Sequence, residues 1–354
     1  MPHSRSDDRP TGLSRRDFLG ALSVPVLAAA CGRPPYDPRQ FQLPSMSRVG
    51  LFPAADYAAD FENIIGRGLR ELGIDARGRR VFLKPNMVEY ESQTAINTHP
   101  LVVAGAALAF RSAGAREVVV GEGPGHRRDI EYLVTQTGLF DHLRENRIRF
   151  VDLNHDDVRY VPLRSRFTGL DRLALPVELL QADFVVSMPK LKTHHWAALT
   201  CGMKNFFGAV PGAVYGWPKN ILHMKGIENS IVDLNATIRP SFAIVDAVTA
   251  MEGDGPIMGR PRHVGFIGMS ADVVAMDATC ARIIGLNPAL MPHLREASRF
   301  LGNIETRRIE HRGEPPSKYE TTFDVVEHFK IIRLATDRSR EAREQPSTTA
   351  LSEY

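Results

Sequence analysis

Short apolar runs of the chain alternate with segments of helical periodicity. Most of these runs lack an alternation of polar and apolar positions, which is typical of strands buried on both faces of a sheet. The pattern therefore predicts one strand for each run. The predicted strands cover residues 81–83, 117–120, 150–153, 183–186, 242–245 and 264–267.

Apolar positions three and four residues apart predict helices between the strands. One helix ends at Gly73, and the next ends before Gly114 with Thr98 or His99 as its N-cap. Strands that alternate with helices predict an α/β fold with a mostly parallel sheet and helices on both faces, a three-layer, Rossmann-like arrangement. The apolar positions are Phe61, Ile64, Ile65, Leu69 and Leu72 in the first helix and Leu101, Ala104, Leu108 and Ala109 in the second.

The first 30 residues have the features of a twin-arginine (Tat) signal peptide. Arg15 and Arg16 follow a polar, charged start, and an apolar stretch over 18–30 ends in small residues. This stretch is shorter than the roughly 20 apolar residues that a membrane-spanning helix needs. We therefore expect export across the cytoplasmic membrane through the Tat translocase, with residues 1–30 as the signal.

Cys31 follows the small residues of the signal directly, and this allows two fates. In one, Cys31 is lipidated and tethers a lipoprotein to a membrane, and in the other, ordinary cleavage releases a periplasmic protein. Either fate suits a Pro-rich linker over 31–47 ahead of one α/β domain over 48–336. Residues 337–354 are polar and predict a disordered tail.

Charge and cysteine usage argue against two classes of function. The net charge of +3 comes without a basic block or a basic-aromatic stripe, so we expect no nucleic-acid partner. Cys201 and Cys280 are too far apart in sequence for a ferredoxin-type iron–sulfur cluster bound by this chain. We expect Cys280 to be a buried thiol, and the sequence leaves a disulfide between Cys201 and Cys280 open.

Function in parallel sheets collects in the loops at the carboxyl ends of strands. Lys84 and Asn86 follow the strand at 81–83. The Gly/Pro-rich segment 121–126 follows the strand at 117–120 and allows a ligand to approach the backbone closely. This segment lacks the sequence of a nucleotide P-loop, and a plain turn is the alternative interpretation.

The loop after 183–186 carries many of the basic side chains. Its extended start places Lys190, Lys192 and His194 on one side. Thr193 is expected to cap a helix that runs to Gly208, and the N-terminus of such a helix favours anions. Further candidates are Lys204, Asn205 and His223, with Asn229 as a capping residue for a helix over 227–238.

The loop after 242–245 is acidic. Asp246, Glu252 and Asp254 accompany glycines, and they suit either a divalent metal or a general acid/base pair. Asp277 is a further candidate, as is Asp272, which is also a candidate N-cap.

Taken together, several of these segments resemble the DUF362 family, a domain of unknown function. The resemblance covers roughly residues 48–330. Some members carry ferredoxin-like iron–sulfur segments, which this chain lacks, and the resemblance implies no substrate. The motifs are Lys84-Pro85-Asn86, Pro189-Lys190-Leu191-Lys192-Thr193-His194, Lys204-Asn205 with Gly208, His223, and Glu252-Gly253-Asp254-Gly255-Pro256 with Gly259.

These residues support three hypotheses of function. The first is an enzyme that acts on a small anionic substrate, with a divalent metal as an optional cofactor. The second is a non-catalytic exported protein that binds a ligand or delivers a cofactor, and the third is a redox accessory protein. In the enzyme, the candidate catalytic residues are Lys192, His194, Lys204 and Asp254, the substrate-binding residues are Lys84, Asn86, Lys190, Asn205 and His223, and the metal ligands are Asp246, Glu252 and Asp254.

Overall fold

A computed structural model describes residues 34–125 and 129–334 of the chain. The predicted Tat signal, Cys31 and the polar tail beyond 334 lie outside the described residues, as does His126 of the Gly/Pro-rich segment. The chain divides into two units, Met1–Tyr36 and Asp37–Tyr354, and the following description concerns the second unit.

Twelve strands and ten α-helices make up the described part of this unit. The strands are β1 (Ser47–Pro53), β2 (Arg80–Pro85), β3 (Glu117–Glu122), β4 (Arg149–Asp152), β5 (Val158–Pro162), β6 (Arg172–Pro176), β7 (Phe184–Met188), β8 (Lys190–His194), β9 (Ala198–Thr200), β10 (Phe242–Glu252), β11 (Arg260–Ser270) and β12 (Ile309–Gly313). The helices are α1 (Phe61–Glu71), α2 (Pro100–Ser112), α3 (Ile130–Gln136), α4 (Leu139–Glu145), α5 (Val177–Leu180), α6 (Gly212–Tyr215), α7 (Asn220–Met224), α8 (Ile227–Ile238), α9 (Val273–Ile283) and α10 (Pro292–Ala297).

A mixed, mostly parallel sheet of ten strands organises the fold. Eight strands follow the order β12-β1-β11-β10-β7-β2-β3-β4. Along this path only β11 runs antiparallel to its neighbours. The remaining two strands lie beside it, with β8 parallel to β10 and β9 antiparallel to β8. The predicted α/β class is confirmed.

Apolar side chains of the central strands enter two separate cores, one on each face of the sheet. In β2, Val81 and Leu83 pack with α1 and α2, whereas Phe82 faces the core that contains α8 and α9. Side chains of successive strand residues point to opposite faces, so a strand covered on both sides needs an unbroken apolar run. The structure confirms the helices on both faces.

Local signals in the sequence set several helix ends. Gly73 and Gly114 follow α1 and α2 with φ of +70° and +86°, a conformation that glycine adopts without steric cost. His99 is the N-cap of α2, where its Nδ1 accepts from the Leu101 N–H at 3.3 Å. Asp272 caps α9 by accepting from the Ala275 N–H at 2.9 Å, as predicted.

The segment after β7 differs from its prediction. Thr193 lies inside β8 and caps no helix, because Lys190–His194 pairs with β10 on one side and β9 on the other. Of the apolar residues at helical spacing, Trp196 and Leu199 lie instead in this hairpin, and Phe206 lies in a 3₁₀ helix over Lys204–Ala209. The helix that was expected to begin at Thr193 is therefore absent, and the dipole predicted from that helix is wrong.

Two further boundaries also differ. β10 continues through Asp246 to Glu252, where a loop was predicted, because it pairs with β11 almost throughout, with an irregularity between Ala247 and Thr249. Gly226 is the N-cap of α8, and Asn229 lies inside the helix. A glycine cap leaves the first-turn N–H groups without the side-chain acceptor that Asn229 was expected to supply.

Both domain cysteines are buried and free, so no disulfide joins Cys201 to Cys280. Within the described ranges, no helix has the length and apolar character to cross a membrane.

Candidate functional site

A cavity of about 450 Å³ opens at the carboxyl ends of β2, β3 and β7. Its walls come from the segments that follow these strands, with the β8–β9 hairpin on one side and residues 254–258 on another. All four candidate catalytic residues line it, as do three of the candidate binding residues. These seven are Asn86, Lys192, His194, Lys204, Asn205, His223 and Asp254.

An ion pair shielded from solvent forms part of the cavity floor. The Lys84 Nζ lies 2.7 Å from the Glu122 Oε1, and neither side chain is more than 1% exposed. Glu122 also accepts from the N–H groups of Met87 (2.9 Å) and Gly123 (2.8 Å). Burial lowers the pKa of Lys84, and the Glu122 carboxylate opposes that shift. Glu122 lines the cavity, whereas Lys84 lies behind it.

Asn205 joins this pair to the neighbouring strand. Its side-chain amide donates to the Lys84 carbonyl at 2.8 Å and to the Ser187 Oγ at 3.1 Å, while its oxygen lies 3.4 Å from the Lys84 Nζ. Gly208 packs against the same group, because a Cβ atom there would lie 2.1 Å from the Glu122 Oε1. The Lys204-Asn205 motif and its glycine therefore hold the floor in place.

Lys192 reaches the cavity from β8 without a carboxylate partner. Its Nζ donates to the Ile96 carbonyl at 2.8 Å and to the Pro256 carbonyl at 3.3 Å. The side chain is fully buried. This burial, reinforced by the charges of Lys190 and Lys204, holds the pKa of Lys192 well below its usual value. The Glu122 carboxylate opposes this shift without a hydrogen bond to the Lys192 Nζ, and an anion in the cavity would supply a counter-charge in direct contact.

Two more lysines face the same space with lowered pKa values. Lys204 lies over the Phe207 ring, with its Nζ 3.7 Å from the ring centre, and burial lowers its pKa to about 7. Lys219 donates to the Asn154 Oδ1 at 2.5 Å and to the Val210 carbonyl, and burial lowers its pKa to about 7 as well. The cavity therefore contains amines that exchange protons near neutral pH.

His194 presents a defined ring nitrogen. Its Nδ1 accepts from the N–H groups of Trp196 at 3.0 Å and Ala197 at 3.3 Å, so this nitrogen carries no proton. Burial, reinforced by Lys204 and other nearby basic groups, holds the pKa of His194 well below its usual value. A neutral ring with an unprotonated Nδ1 carries its proton on Nε2, where it is a hydrogen-bond donor.

The outer rim of the cavity carries histidine, acidic and aromatic side chains. The His195 Nδ1 lies 3.0 Å from the Asp254 Oδ1, and this pair links the β8–β9 hairpin to the segment after β10. The His223 ring meets the faces or edges of Trp196 (5.6 Å) and Phe207 (5.8 Å). The predicted basic and acidic segments therefore meet at one end of the sheet.

Lys190 lies outside the cavity lining, although it shares a face of β8 with Lys192. Its Nζ lies 2.6 Å from the Asp246 Oδ2 and 2.7 Å from the Tyr57 hydroxyl. Asp246 also accepts from the His99 N–H at 2.9 Å, and Tyr57 stacks on the His99 ring. This network couples β8 to β10 and to the start of α2. It also pairs the Lys190 ammonium group, which was expected to bind substrate, with a carboxylate of the protein.

The predicted metal ligands are not brought together. Asp246 pairs with Lys190, Glu252 with Arg260 at 3.0 Å, and Asp254 with His195. Throughout residues 34–125 and 129–334, no group of three or more His, Cys, Asp or Glu side chains is arranged to hold a metal ion. The long strand β10 explains the separation, since it carries Asp246 and Glu252 to different points along the sheet. Asp277 is buried elsewhere and accepts from the N–H groups of Gly202 and Met203.

Two oxygen atoms in residues that line the cavity lack a hydrogen-bond partner. They are the Asn86 Oδ1 and the Thr200 Oγ1. Buried polar atoms are usually paired, so unpaired ones near a cavity accompany sites where a ligand or water completes the set.

Two buried charged residues of the cavity lining, Glu122 and Lys219, were not among the predicted site residues. Glu122 stands between the glycines of the 121–126 segment, for which the sequence predicts a role of the backbone alone. Lys219 has φ of +67°, and no spacing rule connects it to the other lysines. Glu122 could have been predicted from its position at the end of a strand, whereas no sequence pattern marks Lys219 as a site residue.

Comparison with known proteins reaches the family but not the reaction. The family model described as a domain of unknown function (DUF362) matches residues 81–282. The chain belongs to the DUF362 family. The matched DUF362 segment spans the sheet from β2 to α9 and contains every cavity residue named above.

The thylakoid-associated protein sll1697 of Synechocystis sp. is a relative of this chain. It is 33% identical over 265 residues, which are 72% of this chain and 74% of the relative. Among solved structures, the lactate racemase apoprotein from Thermoanaerobacterium thermosaccharolyticum aligns with a TM-score of 0.42 and 15% identity, over 69% of this chain and 59% of that one. A crystal structure of a Thermotoga maritima protein aligns with a TM-score of 0.37 and 16% identity, over 68% and 60% of the two chains.

Proposed function

We propose that this DUF362 protein is an enzyme that binds a small anionic substrate in the cavity and transfers a proton to or from it. The observation that carries the proposal is Lys192, a buried lysine whose Nζ contacts only carbonyl oxygens among its hydrogen-bond partners. A buried ammonium group is costly without a counter-charge. A carboxylate or phosphate group of the substrate would supply that charge.

Lys204 is the proposed proton carrier. A general acid or base works best when its pKa lies near the operating pH, and the pKa of Lys204 is lowered to about 7. His194 would donate from its Nε2 to an oxygen atom of the substrate, and Asp254 would orient His195 at the rim. Because the predicted metal ligands lie apart, the proposed proton transfer itself uses only lysine and histidine side chains.

Isothermal titration with hexanoate and with inorganic phosphate tests the anion site. We expect Lys192→Met and Lys204→Met each to weaken the binding of both anions at least tenfold. Lys225→Met is the matched control, because Lys225 is exposed and does not line the cavity. Equal binding by all four proteins would overturn the anion site.

Proton transfer is tested separately by hydrogen–deuterium exchange at carbon. Nuclear magnetic resonance in D₂O would follow the C–H groups of a panel of 2-oxo and 2-hydroxy carboxylates with and without the protein. Exchange that disappears in Lys204→Met supports the enzyme, whereas bound anions with no exchange favour the non-catalytic binding protein. The cavity favours the enzyme, because it is concave and joins the basic β8 segment to the acidic segment after β10.

We propose in addition that the protein is exported by the Tat route. The order of Arg15, Arg16 and the apolar stretch 18–30 supports this, and the name of the Synechocystis relative associates that protein with a membrane system. Replacing both arginines by lysine should leave the chain in the cytoplasm. Cys31→Ser distinguishes a lipid anchor from a released periplasmic protein, because only the anchored form would leave the membrane fraction.

A further inference from the structure

The cavity changes in character from its floor to its mouth. At the floor, Lys192 and Lys219 have exposed fractions of 0% and 1%, and His194 has 5%. At the mouth, Trp196 is 58% exposed and Met258 is 79% exposed. The two lysines therefore lie deep in the cavity, and large apolar side chains at its mouth reach the solvent.

Four further apolar side chains, here called the apolar wall, line the same cavity. Met87 and Phe207 are buried in this wall at 2% and 7% exposure, and Val88 and Ile257 are half-buried. Single exposed apolar residues are ordinary on protein surfaces, whereas Trp196 and Met258 line one cavity together with this wall. The wall would gain free energy from an apolar group beside it.

The floor and the mouth of the cavity each hold a carboxylate. At the floor, Glu122 is paired with Lys84, and at the mouth Asp254 is exposed beside His195. A second negative group at the outer end of a ligand would meet the Asp254 carboxylate, and like charges repel.

We infer that the ligand is a single-headed anion with an apolar arm, its carboxylate or phosphate at Lys192 and Lys204 and its carbon chain or ring along Phe207, Met258 and Trp196. This inference rests on the proposed anion site and specifies its substrate class. Inorganic anions and dicarboxylates fill only part of this arrangement.

A homologous series of carboxylates tests the arm by isothermal titration at pH 7. Acetate, butyrate, hexanoate and octanoate share one head group and differ only in chain length. Each methylene buried along the wall should tighten binding by about two- to fourfold, and the upper value corresponds to about 0.8 kcal/mol for a fully buried methylene. Octanedioate should bind at least tenfold more weakly than octanoate.

Met258→Ser and Met224→Ser are a matched pair of variants. Both methionines are about equally exposed, at 79% and 83%, but only Met258 lines the cavity. Met258→Ser should weaken the binding of octanoate several-fold and leave the binding of inorganic phosphate unchanged, whereas Met224→Ser should leave the binding of both anions unchanged. Both changes lie on the surface, so folding is expected to persist in each variant.

The outcomes separate this inference from the anion site on which it rests. If phosphate binding depends on Lys192 but affinity is the same from acetate to octanoate, the apolar arm is wrong and the anion site stands. If octanedioate binds as tightly as octanoate, the single-headed class is wrong. If Lys192→Met leaves phosphate and octanoate binding unchanged, the anion site itself is wrong.

Discussion

The Lys84 Nζ and the Glu122 Oε1 form a 2.7 Å ion pair from which solvent is excluded. The pair joins β2 to β3 at the point where both strands end, and Asn205 lies against it from the 3₁₀ helix. An ion pair, hydrogen bonds from Asn205 and the close packing of Gly208 hold this part of the cavity floor together, so a change in any of them should disturb it.

Removing one charge of this pair should strongly destabilise the protein. Glu122→Gln keeps the shape of the side chain but leaves the Lys84 ammonium buried without its counter-charge. We expect a loss of about 3–5 kcal/mol in the free energy of unfolding, measured by urea denaturation. The control is Glu71→Gln, which breaks the surface pair with Arg67 and should cost no more than about 1 kcal/mol. Equal small losses in both variants would contradict the role of burial.

A methyl group at Gly208 should disturb the same pair by contact alone. The Cβ of Gly208→Ala would lie 2.1 Å from the Glu122 Oε1 and 2.5 Å from the Lys84 Nζ, so the charged atoms must move. We expect a lower thermal midpoint and weaker hexanoate binding. Gly66→Ala in α1 is the control, because its Cβ meets only the end of the Arg70 side chain at 3.5 Å. Replacing that helical glycine should stabilise the protein slightly. A Gly208→Ala protein as stable as the Gly66→Ala protein would disprove the contact argument.

The sequence predicts the sheet well because its central strands are covered on both faces. Val81, Phe82 and Leu83 all enter a core, so an unbroken apolar run marks the strand without any need for partners. Edge strands such as β12 carry the mixed pattern Ile-Glu-His-Arg-Gly, which resembles a loop. Their pairing depends on a neighbour that periodicity cannot identify.

The site was predicted in part for a related reason. Strand-end loops meet at one edge of a parallel sheet, and this rule brought Asn86, Lys192 and Asp254 into one cavity. The rule does not say which of two lysines on one strand face reaches the cavity. Lys190 and Lys192 share a face of β8, yet the pairing of β8 with β10 sets Lys190 against Asp246 and leaves Lys192 at the cavity.

Anion binding should weaken as the pH rises above 7. The pKa of Lys204 is about 7 in the free protein, and a bound carboxylate would raise it, so binding above pH 7 takes up a proton. We expect the affinity for hexanoate to fall by up to about tenfold per pH unit for each lysine that titrates in this way. Titration in buffers of different ionisation enthalpy measures the proton uptake. Lys204→Met should take up one proton fewer, and an affinity independent of pH between 7 and 9 would contradict the coupling.

Lys204 and Lys219 should make the free protein more stable as the pH rises. Folding lowers the pKa of Lys204 and Lys219 from 10.5 to about 7, so the unfolded chain binds more protons than the native protein between these values. The free energy of unfolding therefore increases with pH from about 7 towards 10. Urea denaturation at pH 7, 8 and 9 measures the slope, and Lys204→Met should reduce it. A slope that is unchanged in this variant would show that Lys204 titrates as it does in the unfolded chain.

The floor contact between Lys84, Glu122 and Asn205 spans 121 positions of the chain. Closing a loop of this length costs more conformational entropy than forming a local hairpin or helix. No short fragment contains the cavity, and a ligand bound there selects the native chain over partly folded forms. A ligand that binds this cavity would therefore stabilise the native chain by mass action, and the gain would grow with the concentration of the ligand.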